Sequence, residues 1–263
     1  MDSKTTLRLL KLSLLQVNYE RISFWRNPTA AFFTFSFPII FLVILNLVFK
    51  GKSIAISEGT VPLPVLYVPM IMTFSAVSAS YTTLAMNLTL ARDRGILKRI
   101  RKTPLPTFAF LSGKICHSVI TSAILIMAIF ITGVLFFDTS LPVHKVAPFI
   151  ITLIVGAATF SALGIAATIM VPNSDSAPAV VNGSILPLFF ISDVFIPMDN
   201  APTWLNIIAN IFPVRPFSLA LQKAFNPLDL GSGFDPISLI IMMTWMIAGV
   251  LISVKYFSWH PRI

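Results

Sequence analysis

Six long stretches of this sequence carry no charged residue, and this feature constrains the fold more than any other. They run over residues 27–49, 59–91, 115–137, 146–174, 176–192 and 236–254. A helix rises about 1.5 Å per residue, so about 20 apolar residues cross a hydrocarbon layer about 30 Å thick. Only 11% of the residues are charged and the mean hydropathy is +0.87, far from the soluble average. The chain is therefore predicted to be an all-α integral membrane protein with six transmembrane helices.

The spans are expected at about 29–49, 69–90, 115–137, 147–171, 177–197 and 236–255, within one domain, 1–263. The second window is too long for one straight span, so its helix is expected to begin near Pro69, after an interfacial stretch. The fifth is the shortest; it contains Pro187 and meets Asp193 near its end. A carboxylate there is costly unless it reaches water, a cation or a backbone donor. Asp193 is either a functional acid or a residue at the outer interface.

The distribution of Lys and Arg orients the chain, because basic residues accumulate in cytoplasmic loops. With the N-terminus inside, fourteen basic residues lie in cytoplasmic segments and five lie outside. Both termini are therefore predicted to be cytoplasmic. Insertion topology and contact with anionic membrane lipid explain the net charge of +9, so nucleic acid is not expected as a partner.

Residues 1–28 are predicted to form an amphipathic helix in the cytoplasmic interface. Leu7, Leu10, Leu14 and Val17 recur at spacings of three and four, as one face of a helix requires. The alternative is a plain basic leader that only obeys the topology rule.

The longest cytoplasmic loop, RDRGILKRIRKTPLP at 92–106, has a helical pattern. Ile96, Leu97 and Ile100 share an apolar face, and Pro104 marks the end of the helix. Such an element either lies on lipid or docks into a groove on a soluble partner.

This run resembles the signature loop of type-2 ABC exporter permeases, especially those of the drug- and antibiotic-export branch. A second stretch, residues 185–225, is similar to that family's segment around the end of span five: an apolar run, Phe-Pro, Pro-x-Trp-Leu and Asn-x-x-Pro. Six spans and an N-terminal interfacial helix also match. The chain departs from the pattern at Ala91, Ile96 and Asp193.

The resemblance implies that loop 92–106 is a coupling helix between spans two and three, against which a cytoplasmic ATPase docks. Two ATPase subunits would bind ATP and Mg, a second permease, identical or homologous, would complete the exporter, and this chain would have no cofactor. It implies a bacterial plasma membrane location. The ATPase-coupling positions carried over are Arg92, Asp93, Arg94, Gly95, Leu97, Lys98, Arg99, Thr103 and Pro104. The triplet at 51–53 lacks the upstream glycine of a phosphate-binding loop.

The resemblance also implies a pair of re-entrant helices over 199–225 that cap the extracytoplasmic exit between spans five and six. The gate positions are Pro197, Pro202, Trp204, Leu205 and Pro213. The alternative is a surface helix resting on lipid.

The transport path is expected between two permeases, with walls from spans one, two and five. Aromatic and sulfur-bearing side chains there suit an apolar or amphipathic cargo, such as a drug, an antibiotic or a lipid-like molecule. The candidates are Phe33, Phe37, Met72, Phe74, Met86, Phe189, Phe190 and Asp193.

Other function classes stay open from the sequence. The cargo could be a lipid-linked glycan or polysaccharide, the chain could be an ion-coupled secondary transporter that uses Asp193, or it could be a membrane scaffold. No catalytic group can be assembled. A three-histidine metal site is not expected, because His144 and His260 fall on opposite sides of the predicted membrane.

Overall fold

A computed structural model describes most of the chain: residues 3–49, 51–56, 59–137, 139, 141–196, 198, 201–229 and 231–260. These residues form a helical bundle with a small antiparallel hairpin, β1 (Ser53–Ile56) and β2 (Gly59–Pro62). The helices in its first part are α1 (Ser3–Trp25), α2 (Pro28–Phe49), α3 (Pro64–Val77), α4 (Thr83–Asp93), α5 (Ile96–Arg101) and α6 (Thr107–Phe137). Those in the second part are α7 (Val146–Ala167), α8 (Ala177–Phe190), α9 (Thr203–Ile211), α10 (Val214–Phe225) and α11 (Pro236–Tyr256).

Five helices of the described chain are long and apolar enough to cross a membrane. They are Pro28–Phe49, Pro64–Asp93, Thr107–Phe137, Val143–Ala167 and Pro236–Tyr256. The prediction of a multi-pass helical membrane protein is confirmed at this level. Each of the five overlaps one of the six charge-free windows, since a span must exclude charge from hydrocarbon.

Two span boundaries differ from the prediction. The second span begins at Pro64 instead of near Pro69, because Pro64 occupies a first-turn position where its missing N–H costs nothing, and the helix continues through Pro69. The third begins at Thr107 instead of 115, so that Lys114 lies inside the helix. Lys114 is tolerated there because its Nζ lies 2.8 Å from Glu20 Oε1 on α1.

The fifth predicted span, 177–197, is wrong in length. Helix α8 has only 14 residues and ends at Phe190, so it reaches about 21 Å and falls short of a full crossing. The chain turns at Asp193, whose φ of 53° is left-handed and cannot continue a right-handed helix. Helices α9 and α10 follow and are bent by 93° relative to each other. Counting that pair as one span would bring the described chain from five spans to six.

Helix α7 lies at the centre of the bundle, packed on α6, α10 and α11. Its contact with α11 is close: a Cβ added to Gly249 would lie 3.0 Å from the carbonyl carbon of Ala162. Ser253 Oγ donates to Ala162 O at 3.4 Å, and Thr159 Oγ1 donates to Met242 O at 3.0 Å. Small side chains and hydroxyls therefore replace bulky packing here, as is common between membrane helices.

The second long helix contains a wide π-helical turn, Ser78–Thr82, between α3 and α4. Gly164 of α7 lies directly against this turn, where an added Cβ would be 2.8 Å from the Tyr81 carbonyl oxygen. Tyr81 Oη and Ser184 Oγ are 2.7 Å apart, which joins the turn to α8. Such turns commonly mark functional positions in helices.

Helix α1 packs against α6 through its polar face. Gln16 lies over Gly113, where an added Cβ would come within 2.6 Å of the Gln16 side chain, and Ser13 Oγ lies 2.9 Å from Ser112 Oγ. Leu10 and Leu14 are 57% and 68% exposed. Leu10 and Leu14, two residues of the predicted apolar stripe, are therefore turned away from the bundle, and Val17 is half-buried.

Candidate functional site

The loop predicted to couple to a partner contains a short helix, α5, with one apolar anchor. Gly95, at φ 70°, reverses the chain between α4 and α5, a conformation that glycine adopts without strain. Leu97 is 1% exposed, whereas Lys98 and Arg99 are exposed. Thr103 Oγ1 donates to Ile100 O at 2.6 Å just before the exposed Pro104, so the helix ends where the sequence predicted. Helix α5 therefore presents a basic surface.

Arg92 and Leu97, two of the predicted ATPase-coupling residues, are buried and do not lie on that surface. Arg92 is 2% exposed, and its guanidinium donates to three main-chain carbonyls after α7: Thr168 at 3.0 Å, Val171 at 2.7 Å and Pro172 at 2.9 Å. Arg92 Nε also lies 3.4 Å from Asp93 Oδ1. These bonds hold the Arg92 side chain inside the protein, so any part it takes in coupling is not a direct contact of this side chain with a partner.

The segment that follows α11 packs against α5. Leu97 shares a buried apolar cluster with Phe110 and Trp259. The Trp259 ring lies 5.2 Å from the Phe110 ring, and Arg101 Nη1 lies 3.3 Å from His260 Nε2. Apart from the lone Trp259 in a short tail, no sequence pattern predicts this contact.

Four of the eight predicted pathway residues meet in one aromatic cluster. Phe74 of α3 lies 6.3 Å from Phe37 and 5.1 Å from Phe189, measured between ring centroids. Phe195, which the sequence reading missed, joins Phe74 at 5.4 Å and Phe190 at 5.4 Å. We call Phe37, Phe74, Phe189, Phe190 and Phe195 the aromatic cluster; it joins the first and second spans to α8.

The other predicted pathway residues lie elsewhere. Phe33 is 62% exposed and its ring contacts Phe32 at 5.5 Å. Met72 is fully buried in the core, and Met86 packs half-buried against it. The exposed rings Phe33, Phe37 and Phe190 project from the surface that would meet lipid or a second chain.

An apolar cavity adjoins the aromatic cluster between α2 and α3. Its volume is about 230 Å³, and Tyr67 Oη donates to Asn46 Oδ1 at 2.9 Å beside it. Its lining residues are Phe41, Leu45, Phe49, Leu63, Leu66, Tyr67, Met70, Ile71, Phe74, Val194 and Phe195. This lining suits an apolar group, because the cavity offers little polar surface to a sugar or an ion.

Asp193 is a fully bonded structural acid. Its Oδ2 accepts from Arg215 Nε at 2.7 Å, and its Oδ1 accepts from the main-chain N–H of Met198 at 2.7 Å. Its own carbonyl accepts from Ser218 Oγ and Gln222 Nε2, both at 3.1 Å. The carboxylate is therefore already paired within the protein. Arg215, the one charge in the segment 203–221, is the signal that could have predicted this pair.

The predicted gate residues lie around the bent pair α9–α10. Pro202 precedes α9, Trp204 is 62% exposed, Leu205 is half-buried and Pro213 is buried at the bend. Trp245 Nε1 of α11 donates to the Ile211 carbonyl at 2.7 Å and holds the bend to the bundle. Pro197, the remaining gate residue, lies outside the described residues.

A buried lysine, Lys145, caps the C-terminal end of α10. It was not predicted as a functional residue from the sequence. Lys145 has no exposed surface, and its Nζ donates to the carbonyls of Lys223 at 3.2 Å and Asn226 at 2.9 Å. Nζ also lies 3.1 Å from Asp229 Oδ2. The Gly231 N–H, and then Lys145, lower the pKa of Asp229 below its usual 3.8. Within the described residues, no three His, Cys, Asp or Glu side chains are grouped as a metal site would need.

These features define a multi-pass helical membrane protein with a cluster of aromatic side chains and a short helix that presents a basic surface. The profile of the ABC-2 type transporter family matches residues 14–226, so the chain belongs to that family. It is also similar to ycf38 of Cyanophora paradoxa, which is described as a transport permease. The two are 27% identical over 239 aligned residues, which cover 83% of this chain and 79% of ycf38. Membership makes this chain a membrane permease of an ABC transporter, a transport subunit that works with an ABC ATPase.

Proposed function

We propose that this chain is the permease subunit of an ATP-driven exporter that moves an apolar or amphipathic cargo, of the drug, antibiotic or lipid-like kind, out of the cell. The observation that carries the proposal is the geometry of α5. Leu97 anchors the helix in the bundle, while Lys98 and Arg99 are left exposed at its surface. A short helix fixed on one side and basic on the other suits docking into an acidic groove of a soluble partner.

In this proposal two copies of a cytoplasmic ATPase dock on two permeases, identical or homologous, and bind the ATP and Mg. The cytoplasmic placement of both termini and of α5 rests on the basic-residue distribution. The bent pair α9–α10 acts as a re-entrant cap on the outer side. Its 93° bend and the buried Pro213 support this assignment over a straight surface helix.

The aromatic cluster and its adjoining cavity support an apolar cargo. Rings at centroid distances of 5.1 to 6.3 Å form a continuous apolar wall from α2 to α8. A glycan would need hydrogen-bonding groups on that wall, whereas the cavity lining is almost entirely apolar.

Ion-coupled transport is disfavoured by the bonding of Asp193. A proton or cation site requires a carboxylate that can release one partner and accept another during transport. Both carboxylate oxygens of Asp193 are bonded within the protein, one of them to Arg215.

The test of docking is co-purification with the cognate ATPase, a soluble chain that carries GxxxxGK[ST], from cells that express both proteins. Lys98→Glu/Arg99→Glu reverses the exposed charge of α5 without touching Leu97. Arg21→Glu is the matched control, because Arg21 is an exposed base on α1. We expect the double variant to lose at least 90% of the bound ATPase and the control to retain it. Equal recovery with both variants would contradict the docking proposal.

The cargo class is tested separately in proteoliposomes with the ATPase bound. We expect fluorescent amphiphilic dyes to stimulate ATP hydrolysis and to be transported, and Phe74→Ala to weaken both effects. Stimulation by an undecaprenyl-linked glycan, but by no dye, would replace the cargo proposal with glycan export.

A further inference from the structure

The strongest unexplained feature of the molecule is a buried arginine at the start of the basic loop. Arg92 uses two guanidinium nitrogens to bond the carbonyls of Thr168, Val171 and Pro172, at 2.7 to 3.0 Å. These carbonyls belong to the end of α7 and the turn after it, where helix geometry leaves oxygens without intrahelical donors. A cation is also favoured there by the helix dipole. Arg92 therefore caps the C-terminal end of α7 at Thr168, which lies 76 residues further along the chain.

Asp93, the next residue, bonds to the same turn, but it accepts a hydrogen bond where Arg92 donates them. Asp93 Oδ2 accepts a short hydrogen bond from the main-chain N–H of Ser174. Its Oδ1 lies 3.4 Å from Arg92 Nε, so the two side chains also hold each other. Two consecutive residues thus bond the carbonyls and an N–H of one connection, residues 168–174. We call this set of contacts the Arg92–Asp93 link.

The link leaves little of either side chain available to a soluble partner. Four polar contacts satisfy the Arg92 guanidinium, and only 2% of its side chain is exposed. A desolvated guanidinium left without these acceptors would be strongly unfavourable, so the bonds persist unless the surrounding helices separate.

We propose that Arg92 and Asp93 are positioning residues that make α4, α5 and the 168–174 connection one mechanical unit. Since α7 and α8 flank this connection, a displacement of α4 is passed directly to both helices. Helix α5 moves with α4, because Leu97 packs in the same buried cluster as Leu84 and Leu88 of α4. Without the link, α4 and α5 could move together while α7 and α8 stayed in place. The part of this inference that concerns force from an ATPase rests on the proposed function; the rigidity of the unit does not.

The rigidity is tested by spin-label distance measurements on the full-length protein in nanodiscs. Cys116 is the sole native cysteine and is replaced by Ser. Labels are attached at Lys98→Cys on α5 and Asp175→Cys after the 168–174 connection, both exposed positions. We expect a narrow distance distribution in this background and one at least twice as wide with Arg92→Gln. Arg92→Lys should give an intermediate width, because an ammonium keeps the charge with fewer donors in a different geometry.

Lys102→Gln is the control, because Lys102 is an exposed base of the same loop and takes no part in the link. It should leave the distribution unchanged. If Arg92→Gln does not fold, Asp93→Asn removes the charge of the acid and one of its two accepting oxygens, and it should widen the distribution in the same direction. An unchanged width in the variants of both link residues would overturn the inference.

The mechanical role is tested with unlabelled protein and its ATPase. We expect Arg92→Gln to retain the bound ATPase and ATP hydrolysis but to lose at least tenfold in transport per ATP. Normal transport by a variant whose distance distribution has widened would refute the mechanical role. Failure of the wild type to bind any ATPase would instead contradict the proposed function and leave the distance result to decide on the unit itself.

Discussion

Replacing Asp193 by Asn isolates the charge of the buried pair from its shape. Asn tolerates the left-handed φ of 53° at this position. Its side-chain oxygen can still accept from the Met198 N–H, but an NH2 group replaces the oxygen that accepts from Arg215, so both the negative charge and the hydrogen bond opposite Arg215 are removed. The two side chains are 9% and 11% exposed, so water screens the pair little.

The size of the effect follows from the uncompensated Arg215. Removing one partner of a buried ion pair typically costs about 3–5 kcal/mol. Since 1 kcal/mol shifts the midpoint of a protein of this size by about 2–4 °C, we expect Asp193→Asn to lower Tm by roughly 6–20 °C. Thermal unfolding in mild detergent, followed by tryptophan fluorescence, measures this shift. Asp175→Asn, an exposed acid in a turn, is the control and should stay within about 1 °C of wild type.

A double-mutant cycle with Arg215→Met completes the test. The doubly changed protein carries neither charge, so it should be more stable than the sum of the single effects predicts, by about 2 kcal/mol. A wild-type Tm in Asp193→Asn, together with complete loss of transport, would refute the structural reasoning. That result would instead favour Asp193 as an ion or proton site.

Three further changes have defined outcomes. Gly95→Ala should lower the free energy of unfolding by about 1 kcal/mol, because the φ of 70° is strained for a residue with a Cβ. Thermal unfolding measures this change, and Gly183→Ala is the control, because an added Cβ at Gly183 meets open space. Trp259→Ala should cost about 3 kcal/mol and raise hydrogen exchange in α5, since the ring packs with Leu97, and unchanged exchange would contradict that support. The lowered pKa of Asp229 means that its ionised form stabilises the fold above the unfolded value of 3.8, and this contribution is lost as pH falls through the lower folded value. Tm measured from pH 6 down to pH 3 should therefore fall less steeply in Asp229→Asn, and parallel curves would contradict it.

The spans could be predicted from the sequence because each must exclude charge over a fixed length. The end of α8 could not, because it depends on Asp193 meeting Arg215, a partner 22 residues further along the chain. Without that pair, the apolar run through Phe195 is indistinguishable from the continuation of a helix. Hydropathy therefore identifies the spans, but a helix end that depends on a tertiary ion pair can be located only in the structure.

The inward position of Arg92 had a signal in the sequence. Leu84, Leu88 and Arg92 are spaced by four, so they share one helix face, and the two leucines are buried. The motif resemblance treated residues 92–106 as one coupling loop, whereas the helix of the preceding span runs on to Asp93. Four of the five residues of the aromatic cluster were predicted, and Phe195 was not. Composition identifies Phe residues in membrane helices, but it does not distinguish those that line a transport path from those that face lipid.

One continuous helix, Pro64–Asp93, connects the two candidate regions. Phe74 and Arg92 are 18 positions apart, about 27 Å along the axis. Between them, the π-helical turn rests on Gly164 of α7, and Tyr81 is hydrogen-bonded to Ser184 of α8. A force applied at α5 therefore reaches α7 and α8 at two levels, through the Arg92–Asp93 link and through this turn. Because both levels act on the same two helices, the proposed mechanical role predicts that a movement of the basic end shifts α8 relative to Phe74 and rearranges the aromatic cluster.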